Sequence, residues 1–206
     1  MAVGACVLTL CGCSLLRQAS APPPTFYALD DASSQTPPLP VASGVSGVSG
    51  PRSLPTLIVN PPHAASGFDS QRIIYIRQNH QLAYFAQSEW IDPPAHMLGP
   101  LLVTAVNRTG AFAAVVLMPA TASGDLRLDT EIIRLQHNFQ FSPSRVQLTL
   151  RAYLIDDKTR RVLAWREFNA EAEASSETPQ GGVTAANEVV QEVLEKLAQF
   201  LTTRQK

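Results

Sequence analysis

Between residues 126 and 174 lie three long stretches, the first two of which alternate apolar and polar side chains, and that period of two constrains the fold more than any other feature. Val146, Leu148, Leu150, Ala152 and Leu154 are interleaved with Gln147, Thr149, Arg151 and Tyr153. Successive side chains on a strand point to opposite faces, so this pattern describes a strand with one buried face. In the stretch before it, Leu126, Leu128, Thr130 and Ile132 alternate. Ile133, Leu135, His137, Phe139 and Phe141 then resume one residue out of phase. Such a slip turns the second half outward unless an extra residue is absorbed. The sequence therefore predicts a β-bulge at Ile132-Ile133. Ser142-Pro143 and Asp156-Asp157-Lys158-Thr159 are turn-forming, and a third stretch over 161–174 completes an antiparallel meander.

The period then changes. Val183, Ala186, Val190, Val193, Leu194, Leu197 and Leu201 recur at three and four, which predicts an amphipathic helix over 183–203 that covers one face of the sheet. Upstream, residues 56–60 read as a short buried strand ended by Pro61-Pro62, and 72–77 and 81–86 read as a hairpin. Asp92 before Pro93-Pro94 is a helix-start signal, with Asp92 as the cap. The expected helix covers 93–108, stops at Gly110, and should kink or start late at Gly99-Pro100. The apolar run 112–118 reads as a central strand. The fold class is α/β of the α+β kind: a single mixed sheet of about six strands with two main helices packed on it.

The N-terminal part is of another kind. Residues 1–16 carry no charged side chain, and Pro-, Gly- and Ser-rich sequence follows. Leu10, Cys11, Gly12 and Cys13 close the apolar run and resemble the lipobox of bacterial lipoproteins. That resemblance implies an export signal over 1–12 and cleavage before Cys13. Cys13 would carry covalent lipid, an S-diacylglycerol and an N-acyl chain such as palmitate. The three cysteines are Cys6, Cys11 and Cys13, which leaves no disulfide framework and no cysteine metal site. Residues 13–53 read as the acylated N-terminus and a tether of about 40 residues, on the order of 130 Å when extended. An aromatic island at 25–30 interrupts it and is expected to dock as an edge strand. Residues 54–206 form the domain.

No pattern calls for catalysis. Phosphate-loop and nucleophile-elbow spacings are absent. His63, His80, His96 and His137 are isolated, which argues against a metal site, and His137 reads as a hydrogen-bonded core or rim histidine. The formal charge of −1 is spread along the chain, which argues against a nucleic-acid partner. Tyr75, Tyr84, Phe85 and Trp90 are neighbours in sequence and are candidates for a partner or lipid contact, core packing being the competing reading.

Residues Phe68-Asp69-Ser70-Gln71-Arg72-Ile73-Ile74-Tyr75, Leu82-Ala83-Tyr84-Phe85-Ala86, Glu89-Trp90, Pro93 and Met97-Leu98 together resemble the ABC-type transport auxiliary lipoprotein family, which includes paraquat-inducible protein C. Phe26-Tyr27-Ala28-Leu29 is similar to its aromatic motif after the tether. The resemblance implies a domain similar to the N-terminal domain of TolB, with no enzymatic activity and no cofactor beyond the lipid. The implied partners are the ATPase, permease and MCE-domain protein of an ABC transporter for lipids or other hydrophobic substrates. It also implies a cell-envelope location and, for some members, a homo-oligomeric ring. Ser14 in place of an Asp after Cys13 favours the outer membrane, facing the periplasm. A lipid-binding carrier, which requires a large apolar cavity, and an outer-membrane assembly lipoprotein are the alternatives.

Overall fold

The computed structural model describes residues 23–30 and 54–203. Among them are nine strands in one mixed sheet, more than the six expected, and two helices. The centre is the meander of β7 (Leu126–Asn138), β8 (Arg145–Asp156) and β9 (Val162–Glu173). β7 and β8 pair from Leu126 opposite Asp156 to Ile132 opposite Leu150. The register then shifts, so that Arg134 faces Thr149. Ile133 is the extra residue, where the change of phase predicts it. Beyond it Leu135 and His137 are buried, like Leu128 and Ile132 before it.

The other edge of β7 is shared by three strands in turn, all parallel to it. These are β2 (Thr56–Val59), β3 (His63–Ala64) and β4 (Arg72–Gln78). The sheet forks there. One wing adds β6 (Ala114–Leu117) to β2. The other adds β5 (Gln81–Trp90) and then β1 (Thr25–Tyr27) to β4. The expected hairpin forms, with β5 running to Trp90 rather than stopping at Ala86. Gln78 pairs with Gln81 across Asn79-His80, and His80 adopts φ 64°, a conformation Asn and His tolerate better than most.

Helix α2 (Pro179–Thr203) lies across β8 and β9. Val189, Val193, Leu197 and Leu201 are completely buried against Leu148, Leu150 and Phe168. Each such side chain contributes about 1.5–3 kcal/mol of burial. Helix α1 (Pro94–Asn107) covers the β2–β6 wing with Leu98, Leu102 and Val106.

Several expectations are corrected. The run at 112–118 is not a central strand, because β6 pairs with β2 alone and ends the sheet. Its apolar character comes from packing beneath α1 rather than from neighbours on both edges. Asp92 is not the cap of α1. Pro93 holds that position without a side-chain bond, and the Asp92 carboxylate lies 3.2 Å from Nδ1 of His96 instead. Helix α1 starts at Pro94 and runs through Pro100, so Gly99-Pro100 does not delay it. Helix α2 starts at Pro179, a turn before Val183, and takes in Gly181 and Gly182, where an added Cβ would meet Ser176 and His137. The island at 25–30 docks as an edge strand parallel to β5, with Thr25 beside Ser88 and Tyr27 beside Trp90. Leu29 is buried, and the Asn187 carboxamide accepts from the Asp30 N–H and donates to the Ala28 carbonyl.

Candidate docking surface

The four aromatics that are close in sequence do not form one cluster. Trp90 is 3% exposed and belongs to the core, in a gap beside Ile73, Leu135, His137 and Gly182. Tyr84 pairs with Ile74 on the opposite face, half exposed, with the Arg72 guanidinium 4.1 Å over its ring. Three residues of β5 bulge out between Tyr84 and Glu89 relative to β4. Such an irregularity moves side chains off the faces that strict alternation assigns them.

Tyr75 and Phe85 do meet, with ring centroids 4.7 Å apart. Phe139 completes the group at 5.6 Å from Tyr75 and 6.2 Å from Phe85, and the Arg77 guanidinium lies 5.0 Å over its ring. The out-of-phase alternation after Ile133 contains Phe139, yet local spacing gives no sign that it meets Tyr75. That contact follows from β4 pairing parallel to β7, with Tyr75 beside His137.

His137 links this aromatic group to the core. It is buried, its Nε2 lies 2.7 Å from the Ser144 hydroxyl, and its ring packs 4.1 Å from Phe139. Burial lowers the imidazole pKa from its ordinary value, with Glu177 acting in the opposite sense. The Ser144 N–H donates to Glu177 at 3.0 Å and holds that carboxyl below the usual range. This is the hydrogen-bonded core histidine expected from the sequence.

The sheet face opposite α2 is polar and paired. Arg145 donates to Glu171 and Glu173, Arg151 donates to Glu167, and Thr149 bonds Asn169. Hydrogen bonds from Gln147 and Arg145 depress the Glu171 carboxyl. Exposed pairs of this kind each contribute little stability. They keep the face soluble and exclude core packing on it. The face ends in an exposed apolar corner, where Trp165 is 62% exposed and stacked on Tyr153, with Leu163 and Val162 beside it. Among the described residues no group of three or more His, Cys, Asp or Glu is placed to hold a metal ion. Leu10, Cys11, Gly12 and Cys13 lie outside the described residues.

The model of the ABC-type transport auxiliary lipoprotein component matches residues 38–198, most of the chain. The chain belongs to the ABC-type transport auxiliary lipoprotein family. The resemblance carried by the hairpin and first helix is therefore correct, and auxiliary lipoproteins of ABC-type transport are the company in which this protein stands. Protein XCC0632 from Xanthomonas campestris, of the DUF330 family, superimposes with a TM-score of 0.72 at 24% identity, over 88% of this chain and 96% of its own. A second, uncharacterized protein superimposes with a TM-score of 0.63 at 14% identity, over 87% and 99%. At these identities the likeness shows a shared fold. No curated protein matches the chain. Among the described residues no helix is long and apolar enough to cross a membrane.

Proposed function

We propose that this family member is a lipid-anchored, non-catalytic docking subunit of an MCE-type ABC transport system for lipids or other hydrophobic substrates. Acyl chains on Cys13 would hold it at the outer membrane, facing the periplasm. The observation that carries the reading is the family match across the folded domain, joined to the lipobox-like Leu10-Cys11-Gly12-Cys13. An acyl chain contributes ~0.8 kcal/mol per buried methylene, so several chains on one residue hold firmly. Anchoring raises local concentration and makes weak docking effective. Trp165, exposed at one corner and stacked on Tyr153, is of the kind that anchors interfaces.

The geometry disfavours the carrier alternative. The gap between the sheet and α2 measures about 10 Å³, the space of a single water rather than of a lipid chain. The groove of about 540 Å³ between β9 and the end of α2 is open, and Arg166, Glu167, Asn169 and Lys196 line it beside Phe168 and Phe200, so it does not enclose an acyl chain in an apolar cavity.

The test is recovery of the tagged protein from envelopes in mild detergent. Co-purification of MCE-domain, permease or ATPase subunits is expected, and their repeated absence overturns the docking role. Cys13→Ala is expected to release the protein from membranes. Sedimentation of the solubilised protein would measure whether copies assemble into a ring.

A further inference from the structure

The docking of β1 sets which way the domain faces. β1 runs parallel to β5, with Thr25 beside Ser88. The N-terminal end of β1 therefore points back along β5, towards Tyr84 and Leu82. Nine residues, 14–22, separate Cys13 from Pro23. Ten extended steps reach at most about 36 Å, far less than the ~130 Å that the whole 14–53 segment would allow.

The end of the molecule towards which β1 points has a distinct chemistry. The β4–β5 turn at Asn79-His80 and the β7–β8 turn meet there, joined by the Gln140 amide donating to Asn79 at 2.9 Å. Leu82 and Tyr84 are each 50% exposed, and Phe141 is 43% exposed. Arginines lie over these rings: Arg72 over Tyr84 at 4.1 Å, and Arg145 over Phe141 at 5.0 Å. Arg77 lies over Phe139 behind them. The acidic groups nearby are Glu171 and Glu173, both paired with Arg145, Glu177, bonded to Ser144, and Glu89, across from Arg72 on β5. The β4–β5 side therefore presents rings and arginines, with Glu89 as the carboxylate across from Arg72.

We propose that this end is a membrane-facing surface. Tyr84, Phe141 and Leu82 enter the headgroup region of the bilayer that holds Cys13, with Arg72 directed at lipid phosphates. Amphipathic rings favour that depth, and arginine stems bury while their charge stays at the phosphate level. Anionic headgroups add attraction for basic side chains near the surface. The proposal rests on acylation of Cys13. It leaves Trp165 on the far side, opposite Tyr153 and roughly 26 Å along β8 from Arg145.

The full lipidated chain tests it. With Cys13 acylated, Tyr84→Cys, Phe141→Cys and Trp165→Cys each leave one free thiol for a fluorophore. Leu82→Cys repeats the reading on β5 without touching the Arg72–Tyr84 contact. The labelled proteins are reconstituted into phosphatidylethanolamine–phosphatidylglycerol vesicles containing nitroxide-labelled lipid, and flotation is scored beside quenching. Quenching at 82, 84 and 141 several-fold above that at 165 is expected. Equal quenching at all four sites, or stronger quenching at 165, in protein that floats overturns the orientation and leaves the anchor intact. Protein that does not float overturns the anchor reading, and the orientation with it.

Discussion

The backbone of Gly182 rests so close to the imidazole of His137 that a Cβ added there would sit 2.5 Å from Nδ1. The ring has little room to retreat, since Phe139 packs on it at 4.1 Å and Ser144 holds Nε2 at 2.7 Å. Glycine is a poor helix former, yet the first turn of α2 depends on it. Gly182→Ala is expected to lower stability by about 1–3 kcal/mol through overpacking, read from the urea midpoint. Combining it with His137→Ala should recover part of the loss. Strict additivity of the two changes would show that the contact is not the cause.

Stability should depend on pH through the same histidine. Burial holds the folded-state pKa of His137 below its ordinary value of 6.5. The unfolded chain therefore takes up the proton first as pH falls, and stability rises with pH across that window. The full contribution is present above 6.5 and is lost as pH drops from there towards the folded-state value. The depressed Glu177 carboxyl adds a separate loss at more acid pH, as the solution falls below its ordinary 4.5. Denaturant titrations across pH measure both. His137→Gln should flatten the slope just below 6.5, and an unchanged slope refutes the assignment.

The strap formed by residues 23–30 hangs on Asn187, whose carboxamide bonds Asp30 at 2.7 Å and Ala28 at 3.3 Å. Asn187→Ala should cost about 1 kcal/mol, the net value of such bonds. The Ile91 amide, which donates to the Tyr27 carbonyl at 2.7 Å, should then exchange roughly five-fold faster by local opening. Unchanged exchange at Ile91 would mean that Leu29 burial alone holds the strap.

The bulge makes deletions in β7 unequal. Removing Ile133 leaves a continuous ladder in which Leu135 and His137 still face the core. Removing Asp129 keeps the bulge and turns the residues before it to the wrong face. Deletion of Ile133 should lower the thermal midpoint much less than deletion of Asp129. Equal losses would show that β7 owes its register to its other edge.

Local periodicity was enough to place the meander, the bulge and both helices, because each strand or helix direction follows from the backbone geometry of adjacent residues. The bulge was legible since Ile132 and Ile133 are both apolar where alternation allows one. Strand order was not legible. Residues 112–118 read as central because apolar content reports burial and not which edge of a strand is paired. Tyr75, Tyr84, Phe85 and Trp90 read as one surface because sequence proximity cannot show how the β4–β5 irregularity distributes them. Phe139 joined that site only through the pairing of β4 with β7.

The order of residues along the chain determined which segments are strands and which are helices, which side of each is apolar, and where one strand must absorb an extra residue. It also carried the family resemblance and the Leu10–Cys13 motif. Only the tertiary structure decided that three strands share one edge of β7, that two glycines yield to Ser176 and His137, and that β1 lies parallel to β5. Those are pairings between segments distant in sequence. Their choice depends on the sum of packing across the sheet, which no local pattern encodes. The last of them sets the end of the domain towards which the start of β1 points.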